Sequence, residues 1–166
     1  MTPDALVIRD ETEADGPAIH DVQIAAFASG AEAQLVEALR SDGDLVFSVV
    51  AVLGGSIVGH AAFSRMNAPF KALGLGPVGI VTERQGQGVG TALILAGLTR
   101  AAAANWRCIF VLGGVDYYAR FGFACDAAAG FRCHYAGPHF MALALNGPLP
   151  VATGEVAYPR AFEALE

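Results

Sequence analysis

The sequence predicts an α/β (α+β) fold built on a single mixed, mostly antiparallel sheet flanked by helices. Two observations carry that prediction. The chain has 166 residues, 54% of them hydrophobic and only 16% charged, enough apolar material for one buried core and too much for a disordered chain. Its apolar patterns also change period along the chain, in the order strand, two helices, three strands, helix, strand, helix, strand. No internal repeat interrupts that order, so residues 1–166 read as one domain with a core over about 5–145.

Each element has its own signal. Ala5 to Arg9 alternates like a first strand, and Thr12 precedes Ala18, Ile19, Val22, Ala25, Ala26 and Phe27 at helical spacing. A second helix fits Glu32 to Arg40, with Leu35, Val36 and Leu39 on one face and Gly43 just beyond. Leu45 to Phe63 is an uncharged run of 19 residues that could imitate a membrane span. Gly54-Gly55 divides it into two Val-rich halves, so it reads as a hairpin of strands Leu45 to Leu53 and Ile57 to Phe63. Leu73 to Val81 is a further strand, interrupted by Pro77, which removes one ladder donor. After the glycine-rich Gly86 to Gly90, a long apolar helix opens near Thr91 and runs to about Ala104. The strand Cys108 to Leu112, a short helix around Tyr117 to Arg120 and a last strand Phe140 to Leu145 complete the core. From Asn146 onward, with three of the eight prolines, the chain reads as a surface tail over 146–166.

Charge and cysteine usage narrow the function classes. Sixteen acidic against ten basic residues give a net charge of -6, the wrong sign for gripping nucleic acid or an anionic membrane without sequence selectivity. The three cysteines stand in no metal-ligand spacing, and the N-terminus carries no secretory pattern, so the expectation is a cytoplasmic protein with no metal. Cys133 and His134 are adjacent and on a strand would face opposite sides, which argues against a nucleophile pair.

The segment Gln85-Gly86-Gln87-Gly88-Val89-Gly90 lies between a strand and a helix opening. Glycines there let the backbone approach a ligand, and the free N–H groups of the helix's first turn suit a pyrophosphate. A P-loop is excluded by spelling, because the only lysine, Lys71, follows Phe70. Gly74, Gly76 and Gly79 spell GxGxxG, but they lie inside a strand and open no helix, so this is a chance match.

Leu75 to Leu93, reading LGPVGIVTERQGQGVGTAL, resembles the acyl-CoA-binding signature of the GNAT acetyltransferase superfamily, with Gln85, Gly88 and Gly90 in the pattern positions. About thirty residues on, Tyr117-Tyr118-Ala119-Arg120-Phe121-Gly122-Phe123 resembles that family's Tyr-x-x-x-Gly-Phe segment, with Tyr118 at the matching offset. The resemblance implies a sheet whose fourth and fifth strands splay apart to admit the pantetheine arm. It implies backbone contacts to that arm from Val78, Gly79 and Ile80, and a pyrophosphate held by Gln85, Gly86, Gln87, Gly88, Val89, Gly90 and Thr91. Pro77 would break regular pairing near Val78 to Val81 and free backbone groups for the ligand.

The implied reaction is direct attack of an amine on the thioester of acetyl-CoA, in a ternary complex. Tyr118 is the expected acid for the departing thiolate, with Tyr117 its neighbouring competitor. For the base, Leu73 to Val81 offers no carboxylate. His60 is the expected proton acceptor, with Glu32 on the helices that roof the acceptor site as another candidate and Glu83 read as a solvated residue of the loop. Two departures stand out: Val111 to Asp116 holds no asparagine before the tyrosines, and Thr82 stands where a proline is common. The expected partners are acetyl-CoA and an amine of a small molecule or peptide, with no nucleic acid and no membrane. The sequence leaves a homodimer open. The alternative is a non-catalytic acyl-CoA-binding module.

Overall fold

Six strands form one sheet in the order β1-β2-β3-β4-β5-β7, in a computed structural model that describes residues 5–165. These are β1 (Val7–Asp10), β2 (Leu45–Leu53), β3 (Ser56–Arg65), β4 (Ala72–Ile80), β5 (Cys108–Leu112) and β7 (Phe140–Ala144). Every neighbouring pair is antiparallel except β4 and β5, which run parallel. The hairpin between β2 and β3 turns on Gly54 and Gly55, both at positive φ (58° and 77°), the backbone that a tight hairpin turn demands.

The strand alternation assigns side chains to the two faces. Val49, Ala51, Phe63, Leu73 and Val111 point to one face, where α3 (Val89–Ala103) packs through Val89, Leu93 and Ile94. That helix approaches closely because Gly97 faces Phe63: a Cβ at Gly97 would sit 2.1 Å from the ring. The other face carries α1 (Gly16–Phe27) and α2 (Ala31–Ser41), joined to the sheet through Ile19, Val36 and Val50. Farther along that face, Phe110 and Phe140 stack with centroids 5.3 Å apart beneath Tyr158.

Two short helices, α4 (Val115–Ala119) and α5 (Cys125–Ala128), follow β5. Helix α3 opens two residues before the expected position, because Gly88 takes the left-handed conformation (φ 85°) and lets Val89 enter the helix. The surface-tail reading of 146–166 is corrected. Gly154–Glu155 forms β8, paired in parallel with β6 (Phe131–Arg132), and Val156 and Tyr158 are buried in the core. These two residues stand two apart on extended chain and so point to the same side, a signal hidden by the surrounding prolines and glycines. A last 3₁₀ turn, Arg160–Leu165, lies against α2.

Candidate active site

The site begins with a fault in the sheet. Strand β4 pairs with β5 only from Ala72↔Cys108 to Leu75↔Val111, so the two strands separate beyond Leu75. At the same point the β3–β4 register slips between Ala61↔Val78 and Phe63↔Leu75, one extra residue falling in β4 beside Gly76-Pro77. Pro77 is therefore a bulge residue of an interior strand. Val78, Gly79 and Ile80 stay paired with Ala61, His60 and Gly59 on β3 but have no β5 partner. The extra residue also reverses the alternation. Gly79, four residues beyond Leu75, now faces α1, where an added Cβ would meet the Gln23 side chain at 2.7 Å, while Ile80 faces the α3 core.

On the α3 side of the split lies a cavity of about 390 Å³. Its floor is the loop from Gln85 to Thr91, held by two side chains of its own: Gln85 Nε2 donates to the Ile80 carbonyl at 3.1 Å and Gln87 Nε2 to the Glu83 carbonyl at 3.0 Å. The N–H groups of Val89, Gly90 and Thr91 form the first turn of a 15-residue helix, so they lack intrahelical partners and sit at the positive end of its dipole. Arg84 and Arg120 add two guanidinium groups to the lining, and Arg120 Nη2 donates to Thr91 Oγ1 at 2.8 Å. Tyr117 closes the wall over Gly90, where a Cβ would stand 2.8 Å from its hydroxyl. Backbone donors, two cations and space reserved by absent side chains make an anion cradle, and these residues fit the diphosphate of coenzyme A.

On the opposite side lies a second cavity of about 340 Å³, lined by Tyr118, Glu32, Val78 and several apolar side chains. Adjacent tyrosines thus serve different cavities: Tyr117 lines the cradle and Tyr118 the second space. The Tyr118 ring packs against Gly113, just beyond β5, where a Cβ would stand 2.5 Å from Cε2. The segment without the expected asparagine therefore supplies the clearance that seats this ring. Burial, with a smaller contribution from Tyr117, pushes the Tyr118 hydroxyl up to about 12, so it holds its proton throughout the neutral range.

His60 is in neither cavity. It is fully buried beneath α1, and Gln23 Nε2 donates to its Nδ1 at 2.8 Å. Burial above all, then the charge of Arg40, brings its pKa down to about 3. A ring so reluctant to take a proton, and walled off from both cavities, is poorly suited to accept one from an amine. Glu83 is exposed in the 3₁₀ turn Thr82–Arg84. Glu32, in the first turn of α2, shares its cavity with Tyr118. Sequence reasoning missed Arg84, Arg120 and Gly113, although all three lie inside or beside the two quoted motifs. It also missed Phe27, Tyr158 and Phe162, which no local pattern marks.

Among the described residues no group of three or more histidine, cysteine or carboxylate side chains is placed to hold a metal, and no helix is long and apolar enough to cross a membrane.

Comparison with known proteins agrees with this geometry. The model of the acetyltransferase (GNAT) family matches residues 14–123. An uncharacterized N-acetyltransferase of Escherichia coli K12, YhbS, is 33% identical over 168 residues, covering 95% of this chain and 98% of that protein. The crystal structure of Escherichia coli YhbS in complex with CoA superimposes with a TM-score of 0.88 at 30% identity, covering 98% of this chain and 94% of that one. A GNAT family acetyltransferase from Brucella melitensis in complex with acetyl-CoA gives a TM-score of 0.81 at 36% identity, over 95% of this chain and 98% of that one.

Proposed function

The chain belongs to the GNAT acetyltransferase family, and from that premise we propose that it passes the acetyl group of acetyl-CoA to a primary amine by direct attack in a ternary complex. The observation that carries this reading is the β4–β5 split, with an anion cradle on one side and, on the other, a second cavity lined by Tyr118 and Glu32. Acetyl-CoA supplies the activated acyl group as a thioester.

The chain's own residues do the rest. The cradle from Gln85 to Thr91, with Arg84 and Arg120, neutralises the diphosphate. Backbone groups of Val78, Gly79 and Ile80, lacking a β5 partner, are available to the amides of the pantetheine arm and to the thioester oxygen as negative charge develops there. Glu32, directly or through water, takes the proton from the incoming ammonium; it replaces His60 in that role because only Glu32 faces the cavity. Tyr118 Oη donates a hydrogen bond to the departing sulfur. Its elevated pKa keeps the hydroxyl protonated through the neutral range, and a thiol with an unperturbed pKa near 8.5 can leave as the thiolate that this hydrogen bond stabilises.

A thiol-release assay with acetyl-CoA and a panel of amines, the N-acetyl product identified by mass, tests the reading. Amine-dependent thiol release is expected. Tight acetyl-CoA binding with no thiol release from any amine would replace the enzyme with the non-catalytic acyl-CoA-binding module.

A further inference from the structure

Resting on the acyl-transfer reading above, we infer that the second cavity selects a primary amine carried on a compact aromatic or aliphatic body, as a monocation. The lining is the argument. Phe27 and Leu35 from the α1 and α2 roof, and Phe162 and Leu165 from the C-terminal 3₁₀ turn, enclose the space with hydrocarbon. Phe27, Leu112 and Leu165 also leave about two-fifths of their surface exposed at this one cavity, a concentration of exposed apolar side chains that a water-facing mouth would otherwise avoid.

Charge restricts the occupant further. Among the described residues Glu32 is the only carboxylate in the lining, and no Lys, Arg or His joins it. One carboxylate satisfies one ammonium. A second ammonium, as in a polyamine, would be desolvated without a partner, and a carboxylate or phosphate on the acceptor would meet Glu32 with no cation to offset it. A sugar bearing many hydroxyls would lose most of its hydrogen bonds to a hydrocarbon wall. Beyond Glu32, the described lining carries only two polar side chains, Tyr118 and Tyr158, and the Tyr158 hydroxyl is buried. A volume of about 340 Å³ is at the small end of the range for ligand sites and suits an arylalkyl or short alkyl amine.

Initial rates of thiol release at saturating acetyl-CoA, with 2-phenylethylamine, n-hexylamine, spermidine, kanamycin and leucine, test this. The expected kcat/KM for the two apolar amines exceeds that for the other three by about 100-fold or more. Phe162→Ala should raise KM for 2-phenylethylamine about tenfold while leaving the acetyl-CoA Kd, read by calorimetry, unchanged. Leu165→Glu, which adds a carboxylate at the rim, should improve spermidine about tenfold. If wild-type protein uses spermidine, kanamycin or leucine as well as the apolar amines, the selectivity inference is overturned and acyl transfer stands. If none of the five releases thiol from protein that binds acetyl-CoA, both are overturned.

Discussion

The cavities on the two sides of the β4–β5 split are similar in size but are built from different material. The cradle comes from one continuous stretch, Arg84 to Thr91, joined by Tyr117 and Arg120, and its working groups are backbone N–H donors, glycines and guanidinium groups. The second cavity is assembled from side chains of β4, both roof helices, the end of β5, α4 and the C-terminal turn. A cradle of backbone tolerates little change in sequence, because any Cβ at Gly90 strikes Tyr117 and any side chain at Gly88 must adopt a left-handed backbone. A cavity of side chains can be reshaped one residue at a time. The difference teaches where constancy and variation belong in this molecule: the cradle is fixed by backbone geometry, and the second cavity is open to adjustment.

Substitutions that affect one cavity and spare the other sharpen this contrast. The largest effect is expected from Gly88→Glu, which combines a strained φ with a negative charge in the cradle. Acetyl-CoA affinity should fall by about 100-fold or more, measured by calorimetry on protein shown by its melting curve to be folded. Unchanged affinity would move the cofactor site elsewhere. Next comes Glu32→Gln, which keeps shape and removes the proton acceptor: kcat/KM should drop by roughly 10²-fold with the acetyl-CoA Kd unaltered. A variant as active as wild type would return the base to another group.

The smallest effect concerns His60, which belongs to neither cavity. The fold favours its neutral ring, so the stability it contributes is present above its unfolded pKa near 6.5 and is lost as pH falls towards about 3. The melting temperature should therefore decline across that acid window, while the His60 ring signals in NMR stay those of a neutral imidazole at pH 5. A ring that titrates near 6.5 would place His60 in contact with water and reopen its candidacy as base.

The same contrast explains what could be read from the sequence. The strand and helix order was legible because each main element carries its own period, and the cradle was legible because Gln85, Gly88 and Gly90 are neighbours in the chain. Tyr118 could be found from its offset to Gly122-Phe123. The bulge beside Pro77 was foreseen only as a break in pairing; that β3 keeps its hold on Val78 to Ile80 is a matter of register between strands. The second cavity was not legible, since Phe27, Tyr158 and Phe162 meet only after the chain has folded. The role of Val156 and Tyr158 was concealed by prolines that resemble a solvent-facing tail. For His60, one residue on a Val-rich strand could not reveal which face would be roofed by Gln23.

The central claim is that two adjacent tyrosines divide the labour, Tyr117 shaping the cradle and Tyr118 acting on the reacting sulfur. Kinetics and acetyl-CoA calorimetry on Tyr118→Phe and Tyr117→Phe, with melting temperatures to verify folding, test it most directly. Tyr118→Phe keeps the ring against Gly113 and should bind acetyl-CoA normally while kcat falls by about 10²-fold. Tyr117→Phe should change acetyl-CoA affinity by only a few-fold and leave kcat near wild type, because its hydroxyl stands over Gly90 in the cradle. Equal and small losses of kcat in the two variants, or a loss confined to Tyr117→Phe, would contradict the account.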